Sequence, residues 1–269
     1  MRTTSDEVYK QIDNSLYNEQ GDIWWDENRT LHLLKSSVNP ARAGYFRRLL
    51  DEVLKLDYRG AKALDVGCGG GILAEEFAAM GFRVIGIDPS ESSLATARKH
   101  AQSLGLAIDY RLGTGESIPF PDSTFPVVYC CDVLEHVRDL PKVIGEIYRV
   151  TKPGGVFFFD TLNRTFVSKL VAIKILQEWK STAFMPPRLH EWRMFIRPEE
   201  LKGLLAQAGF EFKESRGASP NLSIPKMIGL LRKRAKGEIG FKELGQNFKL
   251  VESADRKIFY MGYAVKPLR

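Results

Sequence analysis

Residues 61–88, AKALDVGCGGGILAEEFAAMGFRVIGID, contain the elements that decide the fold. The short apolar run AKALDV ends in the glycine cluster Gly67-Cys68-Gly69-Gly70-Gly71, and the helical segment ILAEEFAAM follows it. A second apolar run, FRVIGID, comes next and ends at Asp88. A strand, a glycine-rich turn, a helix and a second strand are typical of a βαβ unit, whose two strands lie parallel in one sheet.

The alternation continues through the helix SSLATARKHAQSLG, the strands AIDYRLG and PVVYCC, the helix LPKVIGEIYRVTK and the strand VFFFD. The helix EELKGLLAQAG and the strands FEFKES and KIFYMGYAV follow. Apolar strands separated by helices of about 10–15 residues indicate a parallel sheet that is covered on both faces. We therefore predict a single α/β domain with a doubly wound, mostly parallel seven-stranded sheet.

The predicted domain spans residues 1–269 and has four parts. Residues 1–60 form N-terminal helices, and residues 61–162 form the cofactor-binding core. Two segments break the alternation: a lid insertion at 163–197 and a substrate-side insertion at 217–256. Because loops at the carboxyl ends of parallel strands gather on one rim, we expect both insertions to lie on the same side as the ligand.

The composition is that of a globular protein. Of 269 residues 44% are hydrophobic and 11% aromatic, which is enough for one sizeable core. The net charge of +6 permits an anionic partner but does not require one. The three cysteines, Cys68, Cys130 and Cys131, argue against a disulfide framework and favour a reducing compartment. No signal peptide and no apolar run of ~20 residues is evident, so we expect a cytoplasmic protein, with peripheral contact to the inner face of the membrane as an option.

The glycine cluster and Asp88 predict a nucleotide-like ligand. A glycine-rich turn after the first strand lets the backbone approach such a ligand closely, and an acidic residue about 20 positions later can accept its ribose hydroxyls. Gly67 and Gly69 fit the dinucleotide pattern G-x-G-x-x-G, but Ile72 occupies its last position, and the chain has no P-loop. The structural alternative is a tight turn with Asp88 capping the next helix.

The same residues resemble a known family. LDVGCGGG with Asp88, CCDVLEHV and VTKPGG are similar to motifs of the Rossmann-like S-adenosylmethionine-dependent methyltransferases. WWD, LH, NPARAGYF, DTLNRT, LHEWRMFIRPEEL and FYMGYAVKP, in this order, resemble the ubiquinone-biosynthesis O-methyltransferases, which methylate polyprenyl catechols such as 3-demethylubiquinol. The resemblance covers roughly residues 20–215 and the last strand, and it fades between residues 217 and 255, where this chain is longer and more basic.

The resemblance implies S-adenosylmethionine as the cofactor. It places Asp65 near the amino group of the cofactor, Gly67 and Gly69 against its methionine and ribose, Asp88 on the ribose and Arg42 on the carboxylate, for which an arginine fork is suited. The family commonly has an acidic residue where this chain has Thr114 in GTGESIPF. The further cofactor contacts that it implies are Pro89, Thr114, Gly115, Glu116 and Cys131.

Transfer of a methyl group to a phenol requires alignment of the reactants and removal of the phenol proton. His190, in the lid motif H-E-W, is our candidate general base, and the alternative is a hydrogen-bonded lid residue. Asp132, Glu135 and His136 form D-x-x-E-H and share one face if a helix starts here. They could then hold Mg²⁺, although the family usually has Glu at the first position. Alternatively, Asp132 is a catalytic or cofactor contact and the other two make structural hydrogen bonds.

Two further features leave alternatives open. Trp24 and Trp25 either stack on an aromatic acceptor or hold the N-terminal helices against the core. The segment from Phe166 to Trp179 is apolar and interrupted by lysines, and the second insertion carries the basic run 232–236. Together these segments predict either an interfacial surface for anionic lipid or a lid helix packed on the core.

We predict an O-methyltransferase that acts on a small phenol or catechol, with a polyprenylated quinone precursor as the candidate substrate. The alternatives are a natural-product methyltransferase, an inactive cofactor-binding subunit and a nucleic-acid-binding protein. Only the basic charge favours the last, because no zinc finger, RNA-binding aromatic signature or regular basic helix occurs. The Asn-Pro-Pro-aromatic tetrapeptide of base N-methylation is also absent after PVVYCC. We therefore expect no nucleic-acid partner.

Overall fold

Residues 6–18 and 23–268 are described by the computed structural model. Within these ranges eight strands form one sheet. The strands are β1 (Lys62–Val66), β2 (Arg83–Asp88), β3 (Asp109–Leu112), β4 (Phe125–Cys130), β5 (Thr151–Leu162), β6 (Glu211–Pro220), β7 (Leu250–Ser253) and β8 (Phe259–Val265).

The sheet is doubly wound. Its order is β3-β2-β1-β4-β5-β8-β6-β7. The first five strands are parallel, and β8, β6 and β7 are antiparallel to their neighbours. The chain reverses its winding direction between β1 and β4, and such a switch point leaves a crevice at the carboxyl ends of the strands.

The predicted fold class is confirmed, with one strand more than expected. The additional strand, β7, pairs with the last four residues of β6, Gly217–Pro220. It is only four residues long and half exposed, with Val251 pointing to solvent, so it carries no apolar alternation that the sequence could have revealed.

The helices follow from ordinary capping signals. They are α1 (Asp6–Tyr9), α2 (Asn39–Arg48), α3 (Ile72–Ala79), α4 (Glu91–Ser103), α5 (Leu140–Val150), α6 (Phe166–Ser168), α7 (Pro198–Ala208), α8 (Ile224–Ala235) and α9 (Phe241–Asn247). Wider π-type turns flank α2 at Leu34–Val38 and Leu49–Val53 and continue α6 at Lys169–Glu178. Ser90 caps α4 by accepting the Ser93 N–H at 3.2 Å, and Asp139 caps α5 by accepting the Lys142 N–H at 3.0 Å.

Helices cover both faces of the sheet. Phe46 of α2, Phe77 of α3 and Leu94 of α4 belong to one buried cluster with strand residues. Val143 of α5 and Leu205 of α7 belong to a second cluster on the other face. The parallel strands are therefore buried on both sides, which explains their continuous apolar runs.

The two insertions differ in structure. Segment 163–197 contains α6, its π-type continuation and a 3₁₀ turn at Trp192–Met194, and it buries Ala172, Ile173 and Phe195 in a small cluster. Segment 217–256 contains α8, α9 and β7, and α9 packs against the turn at Leu34–Val38. Across the described ranges we find no helix whose length and apolar character would let it cross a membrane.

Candidate active site

A cavity of about 330 Å³ lies at the switch point of the sheet, between the turns that follow β1 and β4. Most of the predicted site residues meet in its wall. Those in the lining are Arg42, Asp65, Gly67, Asp88, Pro89, Thr114, Gly115, Glu116, Cys131, Asp132 and His136. Gly69, Glu135 and His190 are outside the lining, as are all residues of 163–197 and 217–256. The expectation that both insertions border the ligand is therefore not confirmed.

The glycine turn needs its glycines for conformation as well as for space. Gly67, Gly69 and Gly71 have φ of 78°, 48° and 82°, a region that side chains disfavour. The N–H groups of Gly67 and Cys68 both donate to the Ile87 carbonyl, at 2.8 and 3.0 Å, which fastens the turn to the end of β2. Of these three glycines, Gly67 lies in the wall of the cavity.

The ring of Trp24 lies against this turn at Gly69 and Gly70 and also lines the cavity. A Cβ atom on Gly69 would lie 2.3 Å from the Trp24 ring, and one on Gly70 would lie 2.2 Å from Trp24 Cγ. The indole N–H of Trp24 donates to Ser93 Oγ at 3.0 Å, and that of Trp25 donates to the Gly70 carbonyl at 2.9 Å. Both tryptophans therefore hold the N-terminal segment against the core, and because Trp24 also lines the cavity, stacking of this ring on an acceptor stays a prediction.

The carboxylate of Asp88 stabilises the glycine turn through hydrogen bonds to backbone N–H groups. Its carboxylate accepts the Gly69 N–H at 2.9 Å and the Ser90 N–H at 2.8 Å. Burial raises the pKa of Asp88, and these two backbone donors counteract that rise because they favour the charged form. Each carboxylate oxygen has one remaining lone pair, so Asp88 can also accept hydrogen bonds from a ligand in the cavity.

Asp65 is a buried acid of the cavity wall, and one of its carboxylate oxygens has no hydrogen-bond partner among the described residues. It is 3% exposed, and its Oδ2 atom has no hydrogen-bond partner among the described residues. Burial raises its pKa well above the usual value, although the charge of Arg42 opposes that rise. A buried acceptor without a partner costs free energy, and a cationic or N–H group in the cavity would relieve this cost.

The guanidinium of Arg42 has three partners within the protein. Its Nη1 donates to Asn39 Oδ1 at 3.1 Å, its Nε lies 2.6 Å from Asp160 Oδ2, and its Nη2 pairs with Asp132. Burial opposes the charge of Arg42, but Asp132 and Asp160 outweigh it and raise the pKa of the guanidinium. Burial also raises the pKa of Asp160 to about 7, although Arg42 opposes that rise.

Asp132, Glu135 and His136 do not share a helix face, because no helix starts here and these residues lie in a bend and a turn that precede α5. Asp132 has φ of 55° and pairs with Arg42, whereas Glu135 accepts the Thr161 hydroxyl at 2.8 Å. Burial raises the pKa of Glu135 to about 8. The described residues contain no group of three His, Cys, Asp or Glu side chains that could hold a metal ion, so the structure gives the predicted Mg²⁺ site no support.

The two histidines are neighbours. The ring centroids of His136 and His190 lie 5.2 Å apart, and neither Nδ1 has a hydrogen-bond partner in the described part of the chain. His136 lines the cavity and His190 does not. Burial lowers the pKa of His136 to about 4 and that of His190 to about 3, so both rings are neutral at physiological pH. A neutral imidazole can accept a proton, so His190 stays a candidate base.

Three residues that the structure places at the site have no role in the sequence-based predictions. Asn39 and Tyr17 line the cavity, and Asp160 lies behind it with an exposed fraction of 0%. Asn39 and Asp160 are the first residues of the quoted segments NPARAGYF and DTLNRT, which was the available signal. Tyr17 precedes every motif that we quoted.

Comparison with known proteins agrees with this geometry. Residues 64–159 match the model of a methyltransferase domain. A protein of Hahella chejuensis named ubiquinone biosynthesis O-methyltransferase is 37% identical over 250 residues, which are 91% of this chain and 90% of the relative. A protein of Paramagnetospirillum magneticum with the same name is 36% identical over 211 residues, 76% of this chain and 83% of the relative.

Solved structures show the same fold. A S-adenosylmethionine-dependent methyltransferase from Methanosarcina mazei has a TM-score of 0.55 at 22% identity and covers 80% of this chain and 95% of its own. The [4+2]-cyclase SpnF has a TM-score of 0.57 at 18% identity and covers 98% of this chain and 91% of its own. With the glycine turn, the acids and the cavity at the switch point, these findings show that the chain belongs to the Rossmann-like S-adenosylmethionine-dependent methyltransferases, the family of the ubiquinone biosynthesis O-methyltransferases.

Proposed function

We propose that this methyltransferase transfers the methyl group to a phenolic hydroxyl of a polyprenylated catechol, a quinone precursor. The observation that carries the proposal is the 37% identity over 91% of the chain with a relative named ubiquinone biosynthesis O-methyltransferase. That alignment is too long to be confined to the cofactor-binding core. It therefore includes parts of the chain that lie outside the matched domain at 64–159.

The cavity fits the cofactor. Asp65 offers an unpaired acceptor for the amino group, Arg42 a cation for the carboxylate, and Asp88 free lone pairs for the ribose hydroxyls. The loop at Thr114, Gly115 and Glu116 lines the same cavity and would border the adenine. When bound, S-adenosylmethionine supplies a methyl group that its sulfonium has already activated. The task of the protein is then to hold the acceptor in line and to exclude water.

Removal of the acceptor proton needs a base near the cavity. His190 remains our proposed base, but His136 lies next to it on the cavity side. Transfer to His190 therefore requires passage through His136 or movement of the lid. Asp132, which lines the cavity, is the alternative acceptor of the proton.

The described residues, as placed, do not fit a metal ion, so we derive no step through Mg²⁺. Asp132 is engaged by Arg42 and Glu135 by Thr161. Turnover after exhaustive EDTA treatment, measured again with added Mg²⁺, separates the two routes. A loss that Mg²⁺ restores would assign a metal to these residues, and unchanged turnover would leave proton removal to side chains alone.

We also propose that the protein docks on an anionic membrane, where a polyprenyl substrate resides. Phe166 and Ile224 are 79% and 67% exposed, and Lys169 and the basic end of α8 lie near them in sequence. Exposed apolar side chains with nearby cations favour such a surface. Cosedimentation with anionic vesicles should fall as salt is raised, whereas equal binding to neutral vesicles would contradict the electrostatic part of this proposal.

The substrate is tested by turnover with labelled cofactor against catechols with and without prenyl tails. We expect prenylated catechols to react with the higher kcat/KM. Reaction with unrelated phenols only would favour a natural-product methyltransferase. Cofactor binding without any turnover would favour a cofactor-binding subunit.

A further inference from the structure

The guanidinium of Arg42 is surrounded by side chains of the same chain. Its Nη atoms donate to Asn39 and Asp132, and Asp160 forms an ion pair with it 2.6 Å from Nε. Arg42 itself is 3% exposed, so water does not replace any of these partners. Two acidic side chains therefore already lie beside the one buried cation.

Arg42 is also the one lysine or arginine that the described residues contribute to the cavity wall. A ligand with a carboxylate needs a cation in such a cavity, because an unpaired buried charge is costly. In the structure as it stands, a third carboxylate would meet an arginine whose charge is already neutralised. One of the two acids must therefore leave before a ligand carboxylate can pair with Arg42.

Only Asp132 is placed to leave. Its side chain is 29% exposed and lines the cavity, whereas Asp160 is 0% exposed and accepts the Asp132 N–H at 2.8 Å. Asp160 thus fixes the backbone of residue 132 while the side chain of Asp132 faces open space. The φ of 55° at Asp132 is one that Asp tolerates better than most residues, so the turn is stable without the pair to Arg42.

We infer that Asp132 is an internal competitor that occupies Arg42 until the carboxylate of the cofactor replaces it. The inference rests on the proposed placement of the cofactor in this cavity. Its consequence is an order of events: the cofactor binds first and releases the Asp132 carboxylate, which then becomes available to the acceptor hydroxyl. Asp132 therefore lowers the affinity for the cofactor, and its carboxylate reaches the acceptor hydroxyl only after the cofactor has bound.

The test compares S-adenosylmethionine with its decarboxylated form by titration calorimetry. The two ligands differ only in the carboxylate, so contacts to the amino group and the adenosine cancel in the ratio of their dissociation constants. In Asp132→Asn we expect this ratio to favour S-adenosylmethionine by about tenfold more than in the wild type, the size of a charge-assisted hydrogen bond. Asn suits the positive φ, and Asp132→Gly provides a second variant for the same reason.

Glu116→Gln is the matched control. It removes one negative charge from the same cavity wall but makes no contact to Arg42 among the bonds of the described residues, so the ratio should stay within about twofold of the wild type. An equal change in Glu116→Gln and Asp132→Asn, or no change in either Asp132 variant, would overturn the inference.

A crystal structure of the wild type with S-adenosylhomocysteine gives an independent answer if the variants fail to fold. We expect the ligand carboxylate on Arg42 and Asp132 turned into the cavity. An intact pair of Asp132 and Arg42 beside the bound ligand would refute the competition. If neither ligand binds the wild type, the proposed function fails, which differs from binding of both with an unchanged ratio.

Discussion

The contact between Trp24 and Gly70 can be measured as a coupling energy. A Cβ on Gly70 would lie 2.2 Å from Trp24 Cγ, 2.4 Å from its Cβ and 2.7 Å from its Cδ1, and these are the three nearest atoms. Trp24 cannot move aside easily, because it is 8% exposed, donates to Ser93 Oγ and stacks on Tyr17 at 5.6 Å. Gly70→Ala should therefore destabilise the protein by about 1–3 kcal/mol, the cost of overpacking.

The same substitution should behave differently once the indole is gone. Gly70 has no positive φ, so alanine is not strained there and reduces the entropy of the unfolded chain by about 0.4–1 kcal/mol. Trp24→Ala alone should cost about 3–5 kcal/mol. In that background Gly70→Ala should be neutral or stabilising, which predicts a coupling energy of about 1.5–4 kcal/mol between the two sites.

Urea unfolding of the two single variants and the double variant provides the assay. Gly71→Ala is the control, because its φ of 82° and the Tyr110 hydroxyl 2.3 Å from its Cβ position make it costly in both backgrounds. The reasoning is refuted if Gly70→Ala costs the same with and without the indole. The glycine would then be required for some other reason, such as close approach of the ligand.

Three further predictions concern single residues. Asp88→Ala should weaken cofactor binding by about 2–3 kcal/mol in calorimetry, and unchanged affinity in a folded variant would sink the ribose assignment. Because burial raises the pKa of Glu135 from 4.5 to about 8, its stability contribution is complete below pH 4.5 and is lost as the pH rises through 8. The free energy of unfolding of Glu135→Gln, measured in urea relative to the wild type, should therefore rise between about pH 5 and 8.5 by at most about 4–5 kcal/mol. A difference that does not change with pH would contradict this prediction. His190→Ala should lower kcat by about 10²–10⁴-fold, and the loss should be smaller for acceptors that are already ionised, because no proton has to be removed from them. A loss under about threefold would show that His190 is a lid residue and not the base.

The sheet was predictable because parallel strands impose a strong pattern. A strand that is buried on both faces must be apolar throughout, and the turn after β1 must be rich in glycine. The same reasoning located Asp88 at the end of β2, and the family resemblance implied Asp65 near the end of β1; the switch point places both at the cavity. Each of these inferences depends on residues that are close in sequence.

The wall of the cavity was harder to predict where it depends on distant contacts. Arg42 was identified as a site residue, but its pairing with Asp132 and Asp160 joins residues about 90 and 120 positions apart and leaves no local pattern. No helix starts at Asp132, because the residue takes a left-handed conformation and its N–H donates to Asp160. The spacing D-x-x-E-H therefore suggested a shared helix face that does not exist.

The residues that decide the reaction lie mostly outside the sheet. SpnF matches 98% of this chain in structure and is named a [4+2]-cyclase, so this fold does not by itself determine the chemistry. In this chain the N-terminal segment brings Tyr17, Trp24 and Arg42 to a cavity whose remaining wall comes from the strand ends. Tyr17 packs edge-on against His136, and His136 contacts His190 of the lid, so one row of rings joins the N-terminal segment, the cavity and the lid. Because Tyr17 and His136 both line the cavity proposed for the cofactor, a substitution of either ring should weaken cofactor binding in titration calorimetry, whereas unchanged affinity would separate this row from the cofactor site.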